Sequence, residues 1–224
     1  MKKLKIKVND TDSVSGILQL PDDAWCMMVL AHGAGAGMEH SFMQQIANRL
    51  ENRGIATLRF NFLYMEKGGG RPDLPHVAYS VLKAVVAKAQ EAIAKKKVPI
   101  VGAGKSFGGR MFSQLMSTDS PPDIAALVFY GFPLHAPGKD GKERAEHLSK
   151  VKIPMLFLQG TRDSLANIDL IKEVVKSLKK GTISIVEGGD HSFKVPKSAG
   201  MTEAQVFDQL VDETVKWLKK SVKG

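Results

Sequence analysis

The chain has 224 residues, a formal net charge of +9, 43% hydrophobic and 25% charged residues. That is long enough to bury a substantial core, and the composition excludes a disordered or fibrous protein. A single cysteine, Cys26, excludes an internal disulfide, and no apolar run reaches the ~20 residues of a membrane span.

Residues 2–8 and 14–20 alternate apolar and polar around Asn9-Asp10-Thr11-Asp12, the pattern of a hairpin. The basic opening alternates instead of running into an apolar stretch, so it reads as an edge strand rather than a signal peptide, and a cytoplasmic protein is expected. Residues 25–31 form a buried strand ending at His32-Gly33-Ala34-Gly35-Ala36-Gly37, and Cys26 within it is expected to be a packing residue. Phe42, Ile46 and Leu50 predict a helix over 41–53 that Gly54 stops. Ile55 to Phe60 is a strand, and Asn61 to Pro75 a loop. A helix runs from Val77 to about Ile93, a strand over 98–103, then a further helix carrying Met111, Phe112, Leu115 and Met116. Pro121-Pro122 end that helix before a strand at Ile124–Tyr130 and a Pro/Gly-rich loop at 131–141. A short helix near 143–149, a strand at 153–158, a helix at 168–178, a strand at 182–186 and an amphipathic helix over 203–219 complete the order.

Apolar strands alternating with helices predict an α/β fold: one mostly parallel sheet covered on both faces, with antiparallel strands at one edge. One domain over 1–224 is expected. The lysine clusters at 95–97, 179–180 and 219–220 fall near helix ends, where cations complement the dipole. Without a basic stripe of interleaved aromatics, no nucleic acid and no membrane is expected as a partner.

Ligands of such sheets bind beyond the carboxyl ends of the strands. Gly104-Lys105-Ser106-Phe107-Gly108 occupies one such corner and carries two readings. As G-x-S-x-G it is a nucleophile elbow. As the tail of G-x-x-x-x-G-K-[ST] it is a phosphate loop. The second reading requires a glycine at position 99, which is Pro99 in an apolar strand, so it fails. Clustered metal-ligand motifs are missing, and neither metal nor cofactor is expected.

A serine nucleophile needs a histidine base and a carboxylate to orient it, in the chain order Ser, Asp/Glu, His on this type of sheet. Asp163 follows a buried strand through Gly160-Thr161-Arg162, and His191 is the only histidine after it. Asp190 also precedes His191 but adjoins it and would point elsewhere. The catalytic residues expected are therefore Ser106, Asp163 and His191. For the oxyanion, the Phe107 N–H is one expected donor and Ala34 the other, with Gly35 as its alternative.

Several stretches together resemble the alpha/beta hydrolases, on their dienelactone-hydrolase-like side. They are His32-Gly33-Ala34-Gly35, Arg59-Phe60-Asn61-Phe62, Arg71-Pro72-Asp73, Gly104 to Arg110, Pro133-Leu134-His135, Gly160 to Asp163 and Asp190 to Pro196. More narrowly, the chain resembles a branch containing bacterial predicted hydrolases, a testis-expressed protein and a subunit of a histone-acetylation complex. The resemblance implies an eight-stranded three-layer sandwich and the Ser106–Asp163–His191 triad. Leu63 and Gly68-Gly69-Gly70 depart from that pattern, where a proline and arginines are expected.

The expected activity is a carboxylesterase-like serine hydrolase acting on small ester or acyl substrates; the alternative is a non-catalytic interaction module on the same fold. Tyr64, Met65, Phe107, His135 and Phe193 are candidate pocket residues. Lys105 and Arg110 flank the nucleophile and carry two readings: selection of an anionic substrate, or a structural ion pair in which Arg110 has a carboxylate partner. With no insertion long enough for a cap domain, the loop 132–142 is the only candidate lid.

Overall fold

The computed structural model of the protein describes residues 1–222. Eight strands form one sheet: β1 (Lys2–Lys7), β2 (Ser13–Gln19), β3 (Cys26–Ala31), β4 (Ile55–Phe60), β5 (Ile100–Lys105), β6 (Ala126–Tyr130), β7 (Met155–Gly160) and β8 (Gly181–Val186). Their order is β1-β2-β4-β3-β5-β6-β7-β8. The hairpin β1–β2 is antiparallel and joins β4 antiparallel; from β4 to β8 every pairing is parallel. Lysines at 2, 3, 5 and 7 decorate β1, which discourages pairing with another chain at that edge.

All residues of β3, β4, β6 and β7 are buried, as continuous apolar runs require when both sheet faces are covered. On one face lie α1 (Ser41–Glu51) and α6 (Glu203–Ser221), which pack Phe42, Ile46, Leu50, Val206, Leu210 and Leu218 onto β3, β5 and β6. Arg49–Asp208 (3.0 Å) and Arg53–Asp212 (2.8 Å) tie these two helices together. The Thr202–Gln205 capping box starts α6. The other face carries α3 (Pro75–Ile93), α4 (Phe107–Met116) and α5 (Ile168–Ser177), with Val81, Val85, Met111, Phe112, Ile171 and Val175 in its core. No described helix is long and apolar enough to cross a membrane.

Several details refine the sequence reading, β7 for instance running Met155–Gly160 rather than 153–158. β5 starts at Ile100 rather than 98, because Pro99 lacks an N–H; only its carbonyl joins the sheet, accepting from the Met27 N–H at 2.9 Å. At its other end β5 extends through Lys105, which pairs with Tyr130. Within the expected loop 61–75 lies a short helix, α2 (Leu63–Glu66), whose Tyr64 N–H donates to Asp73 Oδ2 at 3.1 Å. The short helix expected near 143–149 is present as the 3₁₀ segment Glu143–Lys150.

Candidate active site

Ser106 sits between β5 and α4 with φ 49° and ψ −113°, a backbone conformation that costs a non-glycine residue on the order of 1–3 kcal/mol. The close approach of α4 to β3 enforces the turn. A Cβ on Gly108 would lie 2.6 Å from the His32 carbonyl oxygen and 2.7 Å from that of Ala31, so this position must be glycine. The serine is thereby lifted clear at the start of α4.

The structure brings Ser106, His191 and Asp163 together from three separate corners. Ser106 Oγ lies 2.9 Å from His191 Nε2. His191 Nδ1 lies 2.8 and 2.9 Å from the two Asp163 carboxylate oxygens. The Asp163 side chain is completely buried, whereas that of His191 is 23% exposed, so the histidine edge facing Ser106 can be reached. A buried carboxylate must be satisfied by donors. Gln159 Nε2 donates to Asp163 Oδ2 at 2.6 Å, and the Leu165 N–H donates to Oδ1 at 2.8 Å. Gln159 also accepts from the Phe132 N–H at 3.0 Å. Sequence reasoning gave Gln159 no role; its signal was an amide at the end of an otherwise apolar strand. Asp190 does not compete for His191, because its Oδ1 accepts from the N–H groups of Ser192 and Lys194 in its own loop.

The glycine loop after β3 runs beside Ser106: a Cβ on Gly33 would lie 3.7 Å from Ser106 Cβ. His32 anchors it. Its Nδ1–H donates to the Gly33 carbonyl at 2.8 Å, and Nε2 accepts from the Phe62 N–H at 3.0 Å. With both nitrogens engaged in a buried site the ring is neutral, and burial depresses its pKa to about 4. Among the described residues, the N–H groups of Ala34 and Phe107 have no hydrogen-bond partner, and Ala34 and Gly35 are exposed. Tyr64 closes the side of this loop: its hydroxyl reaches the Gly33 carbonyl at 3.4 Å, and its ring meets Phe107 edge-on at 6.3 Å. Burial raises the Tyr64 pKa, and the Gly35 backbone lowers it in part. Met65 approaches the same loop at Gly37.

Three expected pocket residues, His135, Phe193 and Lys105, are engaged elsewhere, and Arg110 differs from expectation in its partner. His135 is buried with both ring nitrogens engaged, Nδ1 with the Ala136 carbonyl at 2.9 Å and Nε2 with the Asn167 N–H at 2.8 Å. It ties loop 131–142 to the turn beyond Asp163. Phe193 is buried against Phe42, stacked at 6.0 Å, on the face covered by α1 and α6. The Lys105 ammonium turns to the same face, 5.8 and 5.6 Å from the Phe42 and Phe193 rings, and donates to the His191 carbonyl at 2.5 Å. Arg110 lacks the carboxylate partner expected for it. Among the described residues its guanidinium forms no ion pair, and burial and neighbouring Arg144 both lower its pKa.

The fold that carries this arrangement has parallels outside this chain. The structure is similar to an alpha-beta serine hydrolase homologue from Coxiella burnetii, at 20% identity over 95% of this chain and 96% of that one, with a TM-score of 0.75. It is similar to a dienelactone hydrolase from Anabaena variabilis, at 18% identity over 99% and 98% of the two chains, TM-score 0.76. A Pyrococcus furiosus esterase is similar at 18% identity over 99% and 93%, TM-score 0.76. At these identities the likeness establishes the fold. The sequence itself matches the alpha/beta hydrolase domain over residues 24–219, and the chain belongs to that family.

Proposed function

We propose that the protein is a serine hydrolase that cleaves small esters or related acyl substrates through an acyl-enzyme. The observation that carries this reading is the unbroken path from Ser106 Oγ to His191 (2.9 Å) to buried Asp163 (2.8 Å), on a serine held at φ 49°. His191 takes the proton as Ser106 attacks the acyl carbon, then returns it to the leaving group; Asp163 keeps Nδ1 protonated, so that Nε2 is the basic nitrogen. Water attacks the acyl-enzyme by the same route in reverse.

The oxyanion is received by the Phe107 and Ala34 N–H groups. Among the described residues neither N–H has a protein acceptor; the Gly35 N–H is likewise unpaired and is the alternative to Ala34. Substrate meets the rim formed by the glycine loop, Tyr64, Met65 and Phe107, with no cap over it. Arg110, half-buried and without a protein acceptor among the described residues, draws an anionic group of the substrate toward the start of α4, because a helical side chain leans toward its own N-terminus. We further place the chain on the dienelactone-hydrolase-like side of the family, in the branch of bacterial predicted hydrolases and their eukaryotic relatives, and take 1–224 as one catalytic domain.

Hydrolysis of short-chain p-nitrophenyl esters and thioesters tests the reading. Turnover that Ser106→Ala abolishes is the expected result. A folded wild-type protein inert on the whole panel would favour a non-catalytic module.

A further inference from the structure

The residue before the nucleophile is a lysine whose side chain turns away from the substrate face. Val101, Ala103 and Lys105 alternate along β5, and the first two lie in the core under α1 and α6. Lys105 continues that row, so its stem enters the layer behind the site. Its ammonium ends beneath the loop that carries His191, where it donates to the His191 carbonyl oxygen at 2.5 Å. Phe42 and Phe193 flank it at 5.8 and 5.6 Å, within range of a cation–π attraction.

The loop itself is tightly built. Asp190 Oδ1 accepts from the Ser192 and Lys194 N–H groups, and Phe193 adopts φ 63°. The turn at Gly131 leaves room for the charge: a Cβ there would lie 3.1 Å from Lys105 Nζ and 3.5 Å from Asp163 Oδ2. The ammonium and the Asp163 carboxylate therefore face the same small gap.

We propose that Lys105 is a positioning residue for the general base, its ammonium clamping the His191 carbonyl from behind while serving as a counter-charge to Asp163 and Asp190. This role rests on the reading of Ser106, His191 and Asp163 as the reacting groups. It explains why a cation is kept in a half-buried layer where, among the described residues, it has no direct ion pair: its partners are a backbone oxygen, two aromatic faces and two carboxylates acting through space. The ionisable groups around it are Asp163 and Asp190, which favour its charged form, and His191, whose backbone it holds; α1 presents Phe42 and the turn after β6 presents Gly131. Burial outweighs the carboxylates and brings the ammonium pKa down from 10.5 to about 8. The clamp is therefore complete at neutral pH and weakens as the pH rises through that value.

The test compares wild type, Lys105→Met and Lys105→Gln for folding by circular dichroism, fluorophosphonate labelling, and kcat and KM on a neutral ester from pH 6 to 9.5. Methionine fills the same space without charge or donor; glutamine keeps a donor without charge. The expected result is a fall in kcat of about 10- to 100-fold for Lys105→Met, since small misplacements of a reacting group cost that much, with KM changed by less than about threefold. Wild-type kcat/KM should also decline above pH 8, and both variants should lose that decline. A folded Lys105→Met with wild-type kcat and pH profile would overturn the proposal. So would a wild type whose kcat/KM stays level to pH 9.5, a result that stands even if neither variant folds. Wild type that fluorophosphonate does not label would instead refute the Ser106 reading, and the clamp with it.

Discussion

Two loops flank Ser106 from opposite sides of β5, and they are built on opposite plans. The loop after β8 is braced throughout: Asp190 ties its backbone, Phe193 stacks on Phe42, Lys105 holds the His191 carbonyl, and Asp163 holds the ring. The loop after β3 is braced at its root by His32 and at its far end by Met38, whose N–H donates to Asn61 Oδ1 and whose carbonyl accepts from Arg59; between these anchors Ala34 and Gly35 are exposed, and the Ala34 N–H has no hydrogen-bond partner among the described residues. On the proposed function, the difference follows from what each side would handle. A base must hold one ring in one tautomer at one distance, so every freedom of its loop is a loss. An oxyanion donor must leave its hydrogen unpaired until the substrate supplies the charge, so the middle of its loop stays open while its two ends are held.

The sharpest way to break the contrast is to disorder the braced side. Asp163→Asn keeps the shape but removes the carboxylate that selects the His191 tautomer, and kcat should fall by about 10⁴-fold, read on any ester the wild type turns over. On the open side, Ala34→Pro deletes one N–H and nothing else polar; kcat should fall by about 10²–10³-fold with little change in KM. An equal loss in KM would mean that Ala34 binds substrate rather than its transition state.

The root of the open loop should show itself in stability. Folded His32 has a pKa near 4 against an ordinary 6.5. Between those values the unfolded chain takes up a proton that the folded chain refuses, so stability is full above pH 6.5 and is lost as the pH falls toward 4. The shift corresponds to about 3 kcal/mol. Burial also lowers the pKa of His147 to about 4, so urea unfolding at pH 7.5 and 4.5 reads both histidines, and His32→Asn should remove about half of the dependence. The smallest effect concerns the rim. Arg110→Met should lower kcat/KM about tenfold for esters bearing a carboxylate and leave neutral esters unchanged, because a hydrogen bond to a charged group is worth about 1.5–3 kcal/mol. Equal losses would remove Arg110 from substrate selection.

Much of this arrangement was legible in the sequence because it is written locally. Strand-length apolar runs ending in Gly-rich corners fixed the sheet, and the chain order of Ser106, Asp163 and His191 selected a set of residues that the fold brings together. What stayed hidden depends on where a side chain turns after its backbone is placed. Lys105 beside Ser106 looked like a substrate contact, yet strand alternation sends it behind the sheet, a signal that Val101 and Ala103 already carried. His135 and Phe193 sit at the right corners, but the first is consumed by backbone bonds and the second by the α1 layer. The partner expected for Arg110 could not be found in sequence because nearby Arg144 is a second cation, brought in by the 3₁₀ segment.

The claim at the centre of this account is that Ser106 is a nucleophile activated through His191. Intact-mass measurement after brief exposure to a fluorophosphonate tests it most directly. The account predicts one adduct on the wild type, none on Ser106→Ala, and much slower labelling of His191→Gln. Unlabelled but folded wild-type protein, or an adduct that persists in Ser106→Ala, would contradict it.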